Sequence, residues 1–181
     1  MKRLNLGCGI NQKEGYVNCD ISEEVNPDMI VDLEKPLPFE DNSIDRIMSN
    51  HILEHIENFN ELINEIHRVC KEGSIVEIRV PFYTHYGAFT DPTHKRFFTP
   101  FTFDYFADSP FRYESAKSPL FKINKVKLKF VYRNCFINRI INPIVNWNHR
   151  VYCRFFANIF PVAEIHFELV VIKGLQEELE K

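Results

Sequence analysis

The first nine residues constrain the fold more than any other stretch. Leu4 and Leu6 flank Asn5 in the alternation of a strand, which runs directly into Gly7-Cys8-Gly9. A glycine-rich turn at the end of a buried strand lets backbone N–H groups approach a ligand closely, because no Cβ stands in the way. Ile10-Asn11-Gln12 follows, so the third glycine of a dinucleotide fingerprint is missing, which argues against a nicotinamide dinucleotide.

Only six residues, Ile10 to Gly15, separate this turn from Tyr16. A parallel crossover normally takes a dozen or more residues, usually a helix. The first helix of a doubly wound fold is therefore expected to have shrunk to a turn. Tyr16–Asp20 reads as a second short strand ending in an acid, and Met29–Val31 as a third running into Asp32-Leu33. After a turn-rich loop over 37–43 comes a fourth strand, Ile44–Ser49. Asn58 suits a helix N-cap, and Phe59, Leu62, Ile63, Ile66, Val69 and Cys70 keep a helical apolar face as far as Gly73, the expected stop. Ile75–Val80 is a fifth strand, halted by Pro81. Strands alternating with helices imply an α/β fold with a mostly parallel sheet.

The second half is different in character. Residues 82–98 form a long loop rich in aromatic residues and His, and Thr99-Pro100 opens a helix to about Ala107. From Phe121 to Arg133, Val126, Leu128 and Phe130 alternate with Lys125, Lys127 and Lys129, a half-buried strand whose lysines suit a sheet edge. Residues 137–158 read as helical with a break near Pro143, and His166–Lys173 as the last strand. With 181 residues and no linker or repeat, a single domain over 1–181 is expected. Its parts are a cofactor-binding half (1–81), a substrate loop, edge strand and helical insertion (82–163), and a last strand (164–174).

The five cysteines are scattered without a Cys-x-x-Cys, which fits reduced thiols and a cytoplasmic location. No apolar run approaches the roughly 18 residues of a membrane-spanning helix. Charge is segregated: residues 1–65 carry 5 basic and 14 acidic groups, whereas 66–163 carry 15 and 6. The stretch Arg112–Arg154 holds ten Lys or Arg against Glu114 alone, which points to an anionic partner. A pI near 6.2 and the edge-strand role of the lysines argue against nucleic acid. A phosphorylated sugar, nucleotide-sugar or lipid-linked glycan fits better. The aromatic-basic segment 137–158 suits a peripheral membrane contact, a homodimer interface, or a cover for the sheet face left bare by the missing first helix.

The glycine turn, the acid ending the second strand and the acid after the third all fall outside the carboxyl ends of parallel strands, where such sheets bind ligands. The set asks for an adenosine-bearing cofactor without a pyrophosphate. Leu4–Gly9, Asp20, Asp32-Leu33, Leu37–Asp45, Ser49–Ile56 and His67–Gly73 resemble class I S-adenosylmethionine-dependent methyltransferases, and most of all the small methyltransferase type 11 group. The resemblance covers residues 4–81 in order, and continues more weakly through Asp91–Pro100 and Ile165–Lys173. It implies a Rossmann-like sheet ordered 3-2-1-4-5-7-6 with one antiparallel strand, and S-adenosylmethionine as cofactor. By its motifs Gly7, Cys8 and Gly9 contact the methionine part, Asp20 and Ile21 the ribose, and Asp32 and Leu33 the adenine. Asn50 and His51 lie near the sulfonium, and Asn5 stands where the family has an acid.

The implied reaction is methyl transfer to an oxygen or nitrogen of a small-molecule or glycan acceptor. The sulfonium donor is already activated, so catalysis needs in-line positioning and, for a hydroxyl or amine, a general base. His94 is the candidate base and Asp91 its orienter. Two other readings compete. One is a non-catalytic relic or partner subunit of this fold. The other is a zinc hydrolase through His51, Glu54 and His55, which spell H-x-x-E-H; with no third ligand evident, no metal is assigned.

Overall fold

The computed structural model describes residues 1–107, 119–132 and 136–173. Its strands are β1 (Arg3–Leu6), β2 (Val17–Asp20), β3 (Met29–Ile30), β4 (Ile44–Asn50), β5 (Cys70–Pro81), β6 (Phe121–Lys129) and β7 (Glu164–Val171). They form one sheet in the order β3-β2-β1-β4-β5-β7-β6, with β7 antiparallel to both neighbours. The implied topology is the observed one, and β6 lies at the edge.

Register puts the apolar residues on one face. Leu4, Ile47, Val76 and Leu169 stand in one row across four strands, each fully buried. Helix α1 (Phe59–Val69) lays Leu62, Ile63, Ile66 and Val69 among them, each no more than 2% exposed. Much of the phenylalanine content completes this layer: Phe59 meets Phe98, Phe103 and Phe106, and Phe103 meets Phe167 edge-on at 4.7 Å. Burying each such side chain stabilises the fold by about 1.5–3 kcal/mol.

The opposite face is polar. Arg46, Glu77, Arg79, Lys125, Lys127, His166 and Glu168 alternate with the core residues, and none is buried. Parallel strands covered on both faces read as continuous apolar runs; Val76-Glu77-Ile78-Arg79-Val80 alternates instead, so one face is wet. Residues 10–16 form turns and loop, as the short crossover predicts, and the loop covers only the β1–β2 end. There Asn5, Asn18 and Met48 are buried, and Lys13 lies against Met48 Sδ at 3.4 Å.

Several boundaries differ from expectation; β5 begins earlier than Ile75, β6 ends at Lys129 and β7 runs from Glu164 to Val171. Helix α1 ends at Val69, not Gly73, because β5 starts at once with Cys70 extended (φ −75°, ψ 145°). Its last carbonyls have partners without an αL glycine: Asn42 and Ser43 N–H donate to Arg68 and Val69, and Lys173 Nζ donates to His67. At its start the Asn58 side chain makes no cap; Glu34 accepts from the N–H groups of Glu57 (2.6 Å) and Asn58 (2.9 Å). The helix expected over 99–107 is a 3-10 turn, Thr102–Tyr105, since Leu120 and Phe121 N–H claim the Phe106 carbonyl and draw Ala107 into a bridge with Phe121.

The segment over 137–158 breaks after Val145 rather than at Pro143. A four-residue helix α2 (Gly87–Thr90) precedes it in the 82–98 loop, and the insertion itself is α3 (Phe136–Val145) and α4 (His149–Phe155). Asn148 caps α4, accepting from Arg150 and Val151 N–H. Asn138, Asn142 and Asn146, four residues apart on α3 and just beyond it, bond to the free backbone of the edge. Asn146 pairs with Leu128 N–H and C=O (both 2.7 Å), Asn142 accepts from Phe130 N–H (2.9 Å), and Asn138 pairs with Val131. The insertion therefore closes the C-terminal end of the edge strand and does not cover the polar face of the sheet. Arg112, Glu114, Lys117, Arg133 and Cys135, and position 174 of the expected last strand, lie outside the described residues.

Candidate cofactor and acceptor site

After β1 the chain turns on Gly7 (φ 63°) and Gly9 (φ 48°). A Cβ on Gly7 would stand 2.5 Å from Ile52 Cγ1, so backbone and space both demand glycine. Cys8 between them is buried, and burial, then the charge of Asp20, pushes its thiol pKa up. Asp20, ending β2, folds back on this turn: Oδ2 accepts from Gly9 N–H at 2.8 Å and Oδ1 from Ser22 N–H at 3.0 Å. Ile21 beside it is exposed. After β3, Asp32 accepts from Glu34 N–H at 3.0 Å and pairs with Lys35, while Leu33 is buried.

Asn5 lies beneath the cradle. Its buried amide donates to Asn11 O (3.1 Å) and Asn18 Oδ1 (2.9 Å), bracing the loop that replaces the first helix. A carboxylate has no proton to make those donations, which is the physical reason an acid is absent here. Asn50, ending β4, keeps its Oδ1 buried without a hydrogen-bond partner.

His51 follows at φ 52°, a strained conformation for a residue with a Cβ. Its Nδ1 lies 3.3 Å from Glu54 Oε1 and its Nε2 3.0 Å from Glu164 Oε2. Burial opposes the imidazolium charge, but the two carboxylates outweigh it and raise the pKa to about 9. Glu164 is also met by His166 (2.8 Å) and Lys129 (3.0 Å); burial works against its charge, yet these partners hold the carboxyl well below the usual range. Both ring nitrogens of His51 are thus engaged by carboxylates, which leaves neither turned to a shared site with His55. Tyr132 stands edge-on to both His51 (5.8 Å) and His85 (5.3 Å), and burial raises its pKa to about 12.

His94 and Asp91 sit in the loop after β5, beside His55. His94 Nδ1 bonds to Ala88 O at 2.9 Å, and its ring meets that of His55 edge-on at 4.6 Å. Asp91 Oδ1 accepts from Thr93 N–H (2.8 Å) and Oγ1–H (2.7 Å), and Thr93 Oγ1 in turn meets His55 Nδ1 at 2.8 Å. The Asp91 carboxylate thus serves Thr93 and, through it, His55, while the hydrogen bond between Asp91 and His94 is a main-chain one, His94 N–H to Asp91 O at 3.3 Å. Glu164 and Tyr132 escape a reading of motifs. Glu164 had one signal: a strand running against β5 must begin at the edge where β5 ends, and Glu164 pairs with Pro81.

Residues 4–78 match the family described as a methyltransferase domain. Among solved structures, a SAM dependent methyltransferase from Archaeoglobus fulgidus is 19% identical with a TM-score of 0.61, over 93% of this chain and 86% of that one. An S-adenosylmethionine dependent methyltransferase from Mesorhizobium loti is 12% identical with a TM-score of 0.60, over 93% and 90%. The complex between the Haloferax volcanii Trm112 methyltransferase activator and a methyltransferase gives 14% identity and a TM-score of 0.60, over 94% and 81%. Comparison with curated proteins gives no match. The sheet order and the likeness to these solved structures show a Rossmann-like fold of the kind methyltransferases use, and residues 4–78 carry the methyltransferase-domain match.

Proposed function

We propose that the protein transfers the methyl group of S-adenosylmethionine to an oxygen or nitrogen of a small-molecule or glycan acceptor. The observation that carries this is the unpartnered, buried Asn50 Oδ1 at the strand edge, close to a glycine turn whose own amide is held by Asp20. An acceptor oxygen there matches the ammonium of a methionine moiety. In this reading Gly7, Cys8 and Gly9 hold the methionine part, Asp20 and Ile21 the ribose, and Asp32 and Leu33 the adenine. Asn50 and His51 face the sulfonium, and Asn5 supports the turn from below. The bound cofactor supplies a methyl group on a good leaving group; the chain's residues orient the acceptor and take its proton. His94 is suited to that last task, because its Nδ1–H is spent on Ala88 O and its Nε2 carries the lone pair. Asp91 orders this corner through Thr93.

The test is calorimetry with S-adenosylhomocysteine, followed by turnover once an acceptor is found. Asp20 makes charged hydrogen bonds of the kind worth about 1.5–3 kcal/mol. Asp20→Ala is therefore expected to weaken binding roughly 10- to 100-fold. No heat at millimolar ligand would sink the assignment. Binding without turnover on any acceptor would mark a non-catalytic chain that keeps the cradle.

We further propose that the acceptor is met at an anionic membrane surface. Among the described residues no helix is long and apolar enough to span a bilayer. Yet α3, α4 and the turn after them expose Phe136, Ile140, Ile144, Trp147, Phe155 and Phe160 beside Arg139 and Arg154. Between them lies an apolar cavity of about 450 Å³ lined by Phe130, Ile141, Tyr152 and Phe156. Apolar side chains mixed with arginines fit lipid chains under anionic headgroups.

A further inference from the structure

Glu54, His55 and His94 bring one imidazole nitrogen each and one carboxylate oxygen within 4.8 Å of one another. The hydrogen bonds around them fix the tautomers. His94 Nδ1 faces the carbonyl of Ala88, which only accepts, so Nδ1 carries the proton and Nε2 the lone pair. His55 Nδ1 faces Thr93 Oγ1, whose hydrogen goes to Asp91; the hydroxyl therefore accepts from His55, leaving a second lone pair on His55 Nε2. Glu54 is 1% exposed and its Oε2 is buried with no hydrogen-bond partner, while Oε1 is held by His51. A buried carboxylate oxygen without a donor is costly unless a cation meets it. The backbone ties the two halves together, since Lys95 and Arg96 N–H both donate to the Glu54 carbonyl.

We infer that Glu54, His55 and His94 form a binding site for a divalent metal ion, with zinc the best match. Two neutral imidazoles and a carboxylate are the donor set zinc accepts when a coordination position stays open. The outer bonds also fit, because metal-bound imidazoles donate their second N–H to a carbonyl or to a carboxylate-linked group. Both rings are half-buried, so the site is reachable from solvent. His51, the other histidine of the H-x-x-E-H run, orients Glu54 rather than binding the ion. The site is independent of cofactor binding but competes with the base role of His94: with the ion bound, His94 Nε2 is a ligand and cannot also take a proton.

The full chain, without a histidine tag and stripped with chelator, is titrated with Zn²⁺ or with Co²⁺ as a spectroscopic probe. One ion per chain is expected, and bound Co²⁺ shows visible d–d bands without thiolate charge-transfer absorption. His55→Ala and His94→Ala are expected to weaken binding more than the roughly 10- to 100-fold typical of an outer partner, and Thr93→Ala by that smaller factor, with Thr93→Ser restoring it. Both histidines are partly exposed, so unchanged circular dichroism verifies the fold of each variant. Stoichiometric binding retained in His94→Ala, thiolate bands from the cysteines, or no binding at all would each overturn the site. S-adenosylhomocysteine binding is measured on the same samples, so loss of the metal site and loss of the cofactor reading are told apart. Chelation separates the two roles of His94: it abolishes turnover if the ion is needed, and leaves it intact if His94 is the base.

Discussion

Individual side chains here are chosen for the hydrogen-bond role they alone can play. Asn5 donates twice where an acid could not, and Gly7 fits a space that a single methyl would fill. His67 shows the same selectivity in the core. It is 6% exposed, its Nε2 meets Ile172 O at 2.8 Å, and burial lowers its pKa below the ordinary value of 6.5. The unfolded chain therefore binds the proton more readily than the folded one. Stability from this residue is present above about pH 6.5 and is lost as pH falls below it. Urea unfolding at stepped pH is expected to show that decline, and His67→Gln to flatten it; an equal slope in both proteins would rule His67 out as the cause.

At the scale of elements, the asparagine ladder does what a further strand would otherwise do. Three amides on α3 and its end satisfy the outward backbone groups of residues 128–131, so this end of the edge is not left as a template for association. Asn142→Ala and Asn146→Ala are each expected to cost about 1–3 kcal/mol in denaturant titrations, the penalty of an orphaned backbone group. A loss below half a kilocalorie would show that water replaces the amides freely. This ladder was not legible beforehand. The lysine alternation of β6 pointed to an edge, but asparagines at helical spacing look like ordinary polar surface until their partner strand is known. By contrast, the shortened first crossover and the two acid-tipped strand ends are readable from residues close in sequence, whereas the sheet order rests on pairings such as Leu4 with Ile47 and Ile75 with Val170 and came only with the family resemblance. Helix α1 ended early for the same reason. Its caps come from residues 34, 42, 43 and 173, none of them near it in the chain. Glu164 escaped similarly, because its partners His51 and Lys129 arrive from distant segments.

The whole molecule is lopsided. One face of the sheet is buried under α1 and a phenylalanine layer, the other is wet, and the apolar surface lies at the far edge on α3 and α4. The single tryptophan, Trp147, is 82% exposed within that surface and reports on its surroundings. Anionic vesicles are expected to shift its emission to the blue, with much less effect from neutral vesicles or at high salt. A shift that depends on protein concentration alone would indicate self-association through the same face. No shift in either series would discard the membrane proposal.

The missing first helix also sets which ligands the cradle refuses. A helix starting after a glycine turn presents partial positive charge and bare amides, the usual lure for phosphate. Here Gly9 is followed by loop, and its amide is already capped by the Asp20 carboxylate. The turn therefore has the polarity of a cation seat. For the proposed cofactor this polarity suits a methionine tail with its ammonium, and a phosphate tail would meet a carboxylate instead of a helix end.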